Sequence, residues 1–327
     1  MTDNRLLLTD ILRGYSIASA DTYKLFFIKH LNTFDFSYID YIKEKHYNEA
    51  IENNIPPEEE KLQYLLQESL WSKDRESKLN ELKYFLDGLK LTKAKLHLPS
   101  QVDAIKIEIE KAESDIAAIL NEKRELLGLT AESYADKRSN EYFTWYSLFK
   151  DDKLKEKLVS EEDFDSLEEK DLYSLAAAYN DCISKFNTRS LKKIALAPYF
   201  LNLFYLCKNN PFTFYGKPVV DLTFFQIELF GHGMYFKSIL QELKDKVAPE
   251  ILKDPDRLID YYDSSKNTEE LLSKISNDDN PTATSIVGAT KEDLQKLGLQ
   301  PGEDKIAKEL AKKGSLSMQD LIDMNMV

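Results

Sequence analysis

From Val102 to Leu126 the side chains Val102, Ile105, Ile109, Ala112, Ile116, Ile119, Lys123 and Leu126 recur at alternating spacings of three and four residues. This is a heptad seam with one charged interruption, and such a stripe leaves water only against another helix with a matching stripe. The arm before it supplies one: Leu79, Leu82, Leu86 and Leu89 follow the same spacing. Between the arms stand His97, Leu98 and Pro99, then Ser100 with Asp103 three residues on, a variant capping box. Two stripes joined by so tight a turn are expected to fold back as a projecting antiparallel coiled-coil hairpin, each arm about 30 Å long. Two ordinary bundle helices are the alternative. A hairpin of this kind has little room for a pocket and serves as a lever or an interaction surface.

The 327 residues are enough for about two domains, and 43% hydrophobic residues can build a real core. Ten glycines and ten prolines are few for this length, which disfavours a turn-rich all-β fold. The expected class is mainly α: a helical bundle with the projecting hairpin and at most a small β-hairpin. Four regions are expected. Residues 1–57 form an aromatic-rich N-terminal segment, 58–128 a helical region with the hairpin, 129–275 a helical core domain, and 276–327 a flexible tail with short amphipathic helices.

Local signals refine this outline. Tyr38–Ile55 has helical spacing, with Ile39, Ile42 and Ala50 on one stripe, whereas Tyr23–Leu31 reads equally as strand or helix. Pro56-Pro57 ahead of Glu58, Glu59 and Glu60 is a helix start with acids at the positive dipole end. Gly128 closes the second arm and Thr130 opens the next helix. Ser160 with Asp163 caps a helix expected to run through Leu167, Leu172, Leu175, Ala176 and Tyr179. Twelve of the 37 aromatic residues fall between Leu191 and Leu240, about twice the share expected from length, so this stretch supplies the main core. Phe212–Val220, turning at Gly216-Lys217, reads as a small β-hairpin or an ordered loop. Thr223 with Gln226 is a capping box for a helix that is apolar nearly all round. Gly231 and Gly233 inside that helix imply a close helix approach or a break, because each costs ~1 kcal/mol relative to alanine. Asp254-Pro255-Asp256 reads as a turn. From Ser276 onward there are no aromatics, and the pieces 303–313 and 317–326, after a short helix capped by Thr290, are expected to order on a partner or on the body.

Motifs that carry chemistry are missing. Gly216-Lys217 is not a phosphate loop, because Pro211 stands where a glycine is needed and Pro218 where a hydroxyl residue is needed. Gly231-His232-Gly233 lacks the third glycine and the preceding strand of a dinucleotide fingerprint. His30, His46, His97 and His232 are far apart in sequence, so no metal centre is expected. No Gly-x-Ser-x-Gly elbow is present, and a Cys207–His232 dyad has nothing to support it. Cys182 and Cys207 lie in apolar surroundings and read as buried structural thiols in a reducing cytosol. No catalytic, cofactor-binding or metal residue is assigned.

Lys and Arg total 44 against 57 Asp and Glu, a net charge of −13, which argues against broad binding to nucleic-acid backbones or anionic lipid. The first ten residues lack a basic region followed by an apolar one, and the longest apolar run, Ile194–Cys207, is too short for a membrane span. A soluble protein in the cytoplasm is expected.

The strings Lys193–Cys207 (KIALAPYFLNLFYLC), Phe214–Thr223 (FYGKPVVDLT) and Leu126–Glu132 (LLGLTAE) resemble structural or tail-assembly proteins of tailed bacteriophages, over about residues 55–275. The resemblance implies a non-enzymatic role in a virion or its assembly, in the host cytoplasm, with other phage structural proteins or further copies of the chain as partners. It carries no functional residues across. Three functions follow in order of preference. The first is this helical interaction protein. The second is a nucleic-acid-associated factor using Lys90, Lys93 and Lys95 near the hairpin tip. The third is a helical enzyme with a pocket bordered by Tyr215, Lys217, Asp221, Glu228 and His232.

Overall fold

A computed structural model describes residues 4–96, 99–243 and 247–277, with side chains described up to residue 266 and not for 99–100. In chain order the elements are α1 (Asn4–Arg13), β1 (Tyr15–Ala18), β2 (Phe26–Lys29), α2 (Ile39–Glu52), α3 (Glu58–Gln67), α4 (Lys73–Lys93), α5 (Pro99–Leu127), α6 (Ala131–Ser147) and β3 (Leu148–Phe149). They continue with α7 (Glu161–Asp165), α8 (Glu169–Ser184), α9 (Thr188–Leu196), α10 (Pro198–Leu206), α11 (Pro211–Tyr215), α12 (Phe224–Leu243) and α13 (Pro255–Asn277). The fold is mainly α with one small antiparallel sheet, and among the described residues no helix is long and apolar enough to cross a membrane. His97, Leu98 and the tail from residue 278 lie outside the described residues, as does the Ser100 side of the expected capping box.

The chain divides into two compact units. One joins the residues up to Trp71 with Glu125–Pro255; the other joins Ser72–Arg124 with the chain from Asp256. The second unit contains the hairpin. Arg75 pairs with Glu122 at 2.8 Å, Glu76 with Lys123 at 3.2 Å and Lys90 with Glu113 at 3.0 Å, so α4 and α5 run antiparallel along their lengths. The seam between them is closed by buried Leu79, Leu89, Val102, Ala112, Ile116 and Ile119. Lys123, the charged interruption, is thus answered by Glu76. At the last position the expectation fails: Leu126 is exposed and Leu127 is buried, one residue on. Residues 256–275, expected within the core domain, cluster with the hairpin. Asp260 of α13 pairs with Lys93 of α4, at 3.3 Å, and accepts from Lys106 of α5.

In the first unit, Gly14 turns α1 into β1 with φ +82°, a backbone region that suits a residue without Cβ. Tyr15 then pairs with Lys29 and Ala18 with Phe26, and β3 adds to β2 through Phe27–Phe149 and Ile28–Leu148. Tyr23–Leu31 therefore contains a strand. Phe26 and Ile28 face inward, fully buried, as two-residue alternation requires. The hairpin of the sheet is β1–β2; Phe212–Val220 forms instead the short α11, a left-handed Gly216 and a turn of 3₁₀ helix. Ser160 does cap a helix, but that helix ends at Asp165 and α8 starts afresh at Glu169.

The core is built on α12. Thr223 and Gln226 form both bonds of the expected capping box: the Thr223 N–H donates to Gln226 Oε1 at 3.1 Å, and the Gln226 N–H to Thr223 Oγ1 at 3.3 Å. The same Gln226, completely buried, donates from Nε2 to the Ile11 carbonyl at 2.7 Å and so satisfies the end of α1. Phe200 and Phe204 of α10 stack on each other and press on Gly233; a Cβ there would stand 2.9 Å from Phe204 Cε2 and 3.0 Å from Phe200 Cε1. Gly233 thus marks the close approach anticipated from the sequence, whereas a Cβ on Gly231 meets nothing within 4 Å.

The two glycines should respond oppositely. Gly233→Ala is expected to cost about 1–3 kcal/mol through overpacking against two rings, and Gly231→Ala to stabilise by up to about 1 kcal/mol. Urea unfolding of both variants measures this; equal effects would contradict the packing described.

Candidate functional site

The most concentrated polar cluster of the first unit centres on Asp35, just after β2. Its carboxylate accepts from Lys29 Nζ at 2.5 Å, from the Tyr146 hydroxyl at 2.9 Å and from the Asn32 N–H at 2.9 Å. The side chain is only 6% exposed, so these bonds replace the water it has lost. Tyr146 of α6 joins the parts: its ring lies 5.0 Å from Lys29 Nζ and 4.1 Å from Lys157 Nζ, which also stands 4.2 Å from the Phe149 ring and donates to the Tyr146 carbonyl. Burial, then the Asp35 bond, pushes the phenol up to about 12. Burial and Lys29 push Lys157 down to about 8 while Asp35 opposes them, and the surrounding ring faces favour the charged amine. With its bonds committed to its neighbours, the Asp35 carboxylate ties β2 to α6, and Tyr146 in turn holds Lys157.

A second cluster lies under the sheet. Ser16 Oγ and His30 Nε2 are 2.9 Å apart, the spacing of a nucleophile and its base. Ser16 is 2% exposed and His30 1%, however, so the pair is closed to solvent. Among the described residues His30 Nδ1 has no hydrogen-bond partner, so none of them orients the ring as a triad requires. Phe186 and Phe225 pack edge-on against it. Burial, with Lys217 nearby, pushes this imidazole down to about 3.

The five residues proposed to border a pocket fall into two groups. The Tyr215 hydroxyl donates to the Gln226 carbonyl at 2.9 Å, and burial raises its pKa. Lys217 is lowered by burial against the opposing pull of Asp221. On α12, Glu228 accepts from Thr188 Oγ1 at 2.9 Å and lies 3.5 Å from His232 Nε2. Among the described residues no hydrogen bond or ion pair joins the two groups. Of the hairpin lysines, Lys90 pairs with Glu113 and Lys93 with Asp260, while Lys95 is exposed. Cys182 and Cys207 are buried free thiols, as expected. Among the described residues, no three His, Cys, Asp or Glu side chains converge as metal ligands.

The sequence reading passed over Asp35, Tyr146 and Lys157. Lys157 sits in the run Asp151–Lys157, where every charge looks like a solvated one. The other feature it missed is apolar. Along α10 to α12, Leu203 is 51% exposed, Leu206 77%, Phe212 58% and Ile227 40%, with Val219, Val220, Phe224, Met234 and Tyr235 also open to solvent. In comparisons with protein-family models, with curated proteins and with solved structures, nothing matches this chain.

Two measurements check these clusters. Tyr146→Phe removes only the bond to Asp35 and is expected to cost about 1–2 kcal/mol in urea unfolding; an unchanged midpoint would contradict it. An unfolded histidine titrates near 6.5. Between that value and about 3 the unfolded chain therefore holds a proton that folded His30 refuses, and stability falls as pH drops through this window. His30→Gln is expected to reduce proton uptake on unfolding by about one between roughly pH 4 and 6, read from the slope of unfolding free energy against pH. An unaltered slope would contradict the burial of a neutral ring.

Proposed function

We propose that the protein is a non-enzymatic interaction protein, a structural or tail-assembly component of a tailed-phage virion, working in the host cytoplasm through protein–protein contacts. The observation that carries this reading is the exposed apolar surface from Leu203 to Tyr235. Large apolar side chains left in water beside a well-packed core are the usual mark of a surface that a partner covers. The same stretch contains one of the three strings that resemble phage structural or tail-assembly proteins, Phe214–Thr223, and the end of a second, Lys193–Cys207. The polar clusters fit the reading too: Asp35 is saturated by its own chain, and the Ser16–His30 pair is shut from solvent. No reaction is assigned to the protein, and no cofactor.

The test is fractionation of lysates and purified particles from the native source, with the chain followed by mass spectrometry. The chain is expected in the virion or in a complex of defined mass with a tail protein. The variant Leu206→Glu/Ile227→Glu, with its helical circular dichroism intact, is expected to lose that association at least about tenfold. A chain recovered free of any protein complex in every fraction would overturn the reading, and a double variant that associates undiminished would remove this surface from it.

A further inference from the structure

Helix α4 has a second apolar face besides its seam. Tyr84 is 79% exposed, Phe85 52% and Leu91 66%, and Gly88 lies among them with nothing within 4 Å of a Cβ built on it. Positions three and four residues apart share a helix face, so Tyr84, Phe85, Leu91 and Thr92 surround Gly88. A glycine weakens the interior of a 21-residue helix, and nothing packed on this one accounts for it. Without a side chain there, another helix can approach closely.

The pattern about Gly88 specifies which helix. Phe85 precedes it by three residues and Leu91 follows by three; Tyr84 and Thr92 stand at four; Glu81 and Lys95 stand at seven, two turns away on the same face. Lys95 continues the helical turn, its N–H donating to the Thr92 carbonyl at 2.9 Å. Both Glu81 and Lys95 are exposed, and neither has an ion pair among the described residues. In an antiparallel pair of identical helices crossing at this glycine, Phe85 meets Leu91, Tyr84 meets Thr92 and Glu81 meets Lys95, each twice by the two-fold axis. The exposed apolar residues of α12 (Ile227, Met234 and Tyr235) fail the same operation: about Gly231 it sets Glu228 against Met234.

We propose that the exposed face of α4 binds α4 of a second copy of this chain, antiparallel about a two-fold axis at Gly88. This rests on the reading of the chain as an interaction protein and names one partner as the chain itself. One helix pair lies at the small end of specific interfaces, below about 1,200 Å², so the dimer is weak. The net charge of −13 on each copy opposes it further at low salt.

Sedimentation velocity of the full chain at about 0.15 M salt, over a wide concentration range, tests the proposal. A monomer–dimer equilibrium is expected. Gly88→Gln, which fills the crossing point with a good helix former, is expected to abolish it with helical content retained. Glu81→Lys and Lys95→Glu should each weaken the dimer about tenfold. An equal mixture of these two variants should dimerise again, because a two-lysine copy then faces a two-glutamate copy and opposite charges meet at both sites. A wild-type chain that is monomeric throughout, or a dimer unaffected by Gly88→Gln, would overturn the inference. A monomer that still associates with particles overturns this inference alone, whereas a dimer found in no larger protein complex overturns the functional reading and leaves this one standing.

Discussion

A buried amide cannot be left unbonded at tolerable cost, and Gln226 is a buried amide at the start of the longest core helix. Its carbonyl closes the N-terminus of α12 and its NH₂ closes the C-terminus of α1, 215 residues away in sequence. The position of α1 relative to α12 follows, and with it the turn at Gly14 and the start of β1. Seven residues further along, Gly233 fixes how closely α10 can lie, because only a hydrogen fits beneath Phe200 and Phe204. One helix thus sets two neighbours by two different means, a polar bond at one end and a steric allowance in the middle.

Other polar groups inside the first unit are used in the same manner. Asp35 joins parts of the fold that are more than a hundred residues apart, and Lys61 donates to the Leu127 and Leu129 carbonyls where α5 ends. Glu132 accepts from the Glu58 N–H at the start of α3. Each is a helix end or a buried charge made whole, which is what a chain needs to hold its shape. The unmet demand lies outside, in Leu206, Phe212, Tyr84 and Leu91, which remain in water. This contrast, between polar groups committed to their own chain and apolar side chains left in water, is the basis for reading the protein through its contacts.

Much of the fold was legible in the sequence where the signal is local. The two long helices α4 and α5, the capping pairs at Thr223–Gln226 and Ser160–Asp163, and the helix start after Pro57 depend on residues within one or two turns of each other. The grouping of residues 256–277 with the hairpin was not legible, because Asp260 meets Lys93 and Lys106 only after folding. Tyr23–Leu31 was ambiguous for the same reason: its strand is fixed by Tyr15–Ala18 and by Leu148, not by its own period. The slip from Leu126 to Leu127 reflects the end of a heptad stripe, where the seam's demand lapses. The polar clusters were invisible because Asp35, Tyr146 and Lys157 are ordinary residues whose meaning comes from each other. Exposure hides equally well, since an apolar residue in a helix reads as core until its neighbours are known.

The account turns on the apolar side chains of α10 to α12 being covered when the protein is at work. Hydroxyl-radical footprinting of the isolated chain and of the chain within its native assembly measures that coverage residue by residue, with Met234 and Phe212 as reactive reporters. The account predicts strong oxidation of both in the isolated chain and marked protection in the assembly. Equal oxidation in the two states would contradict it.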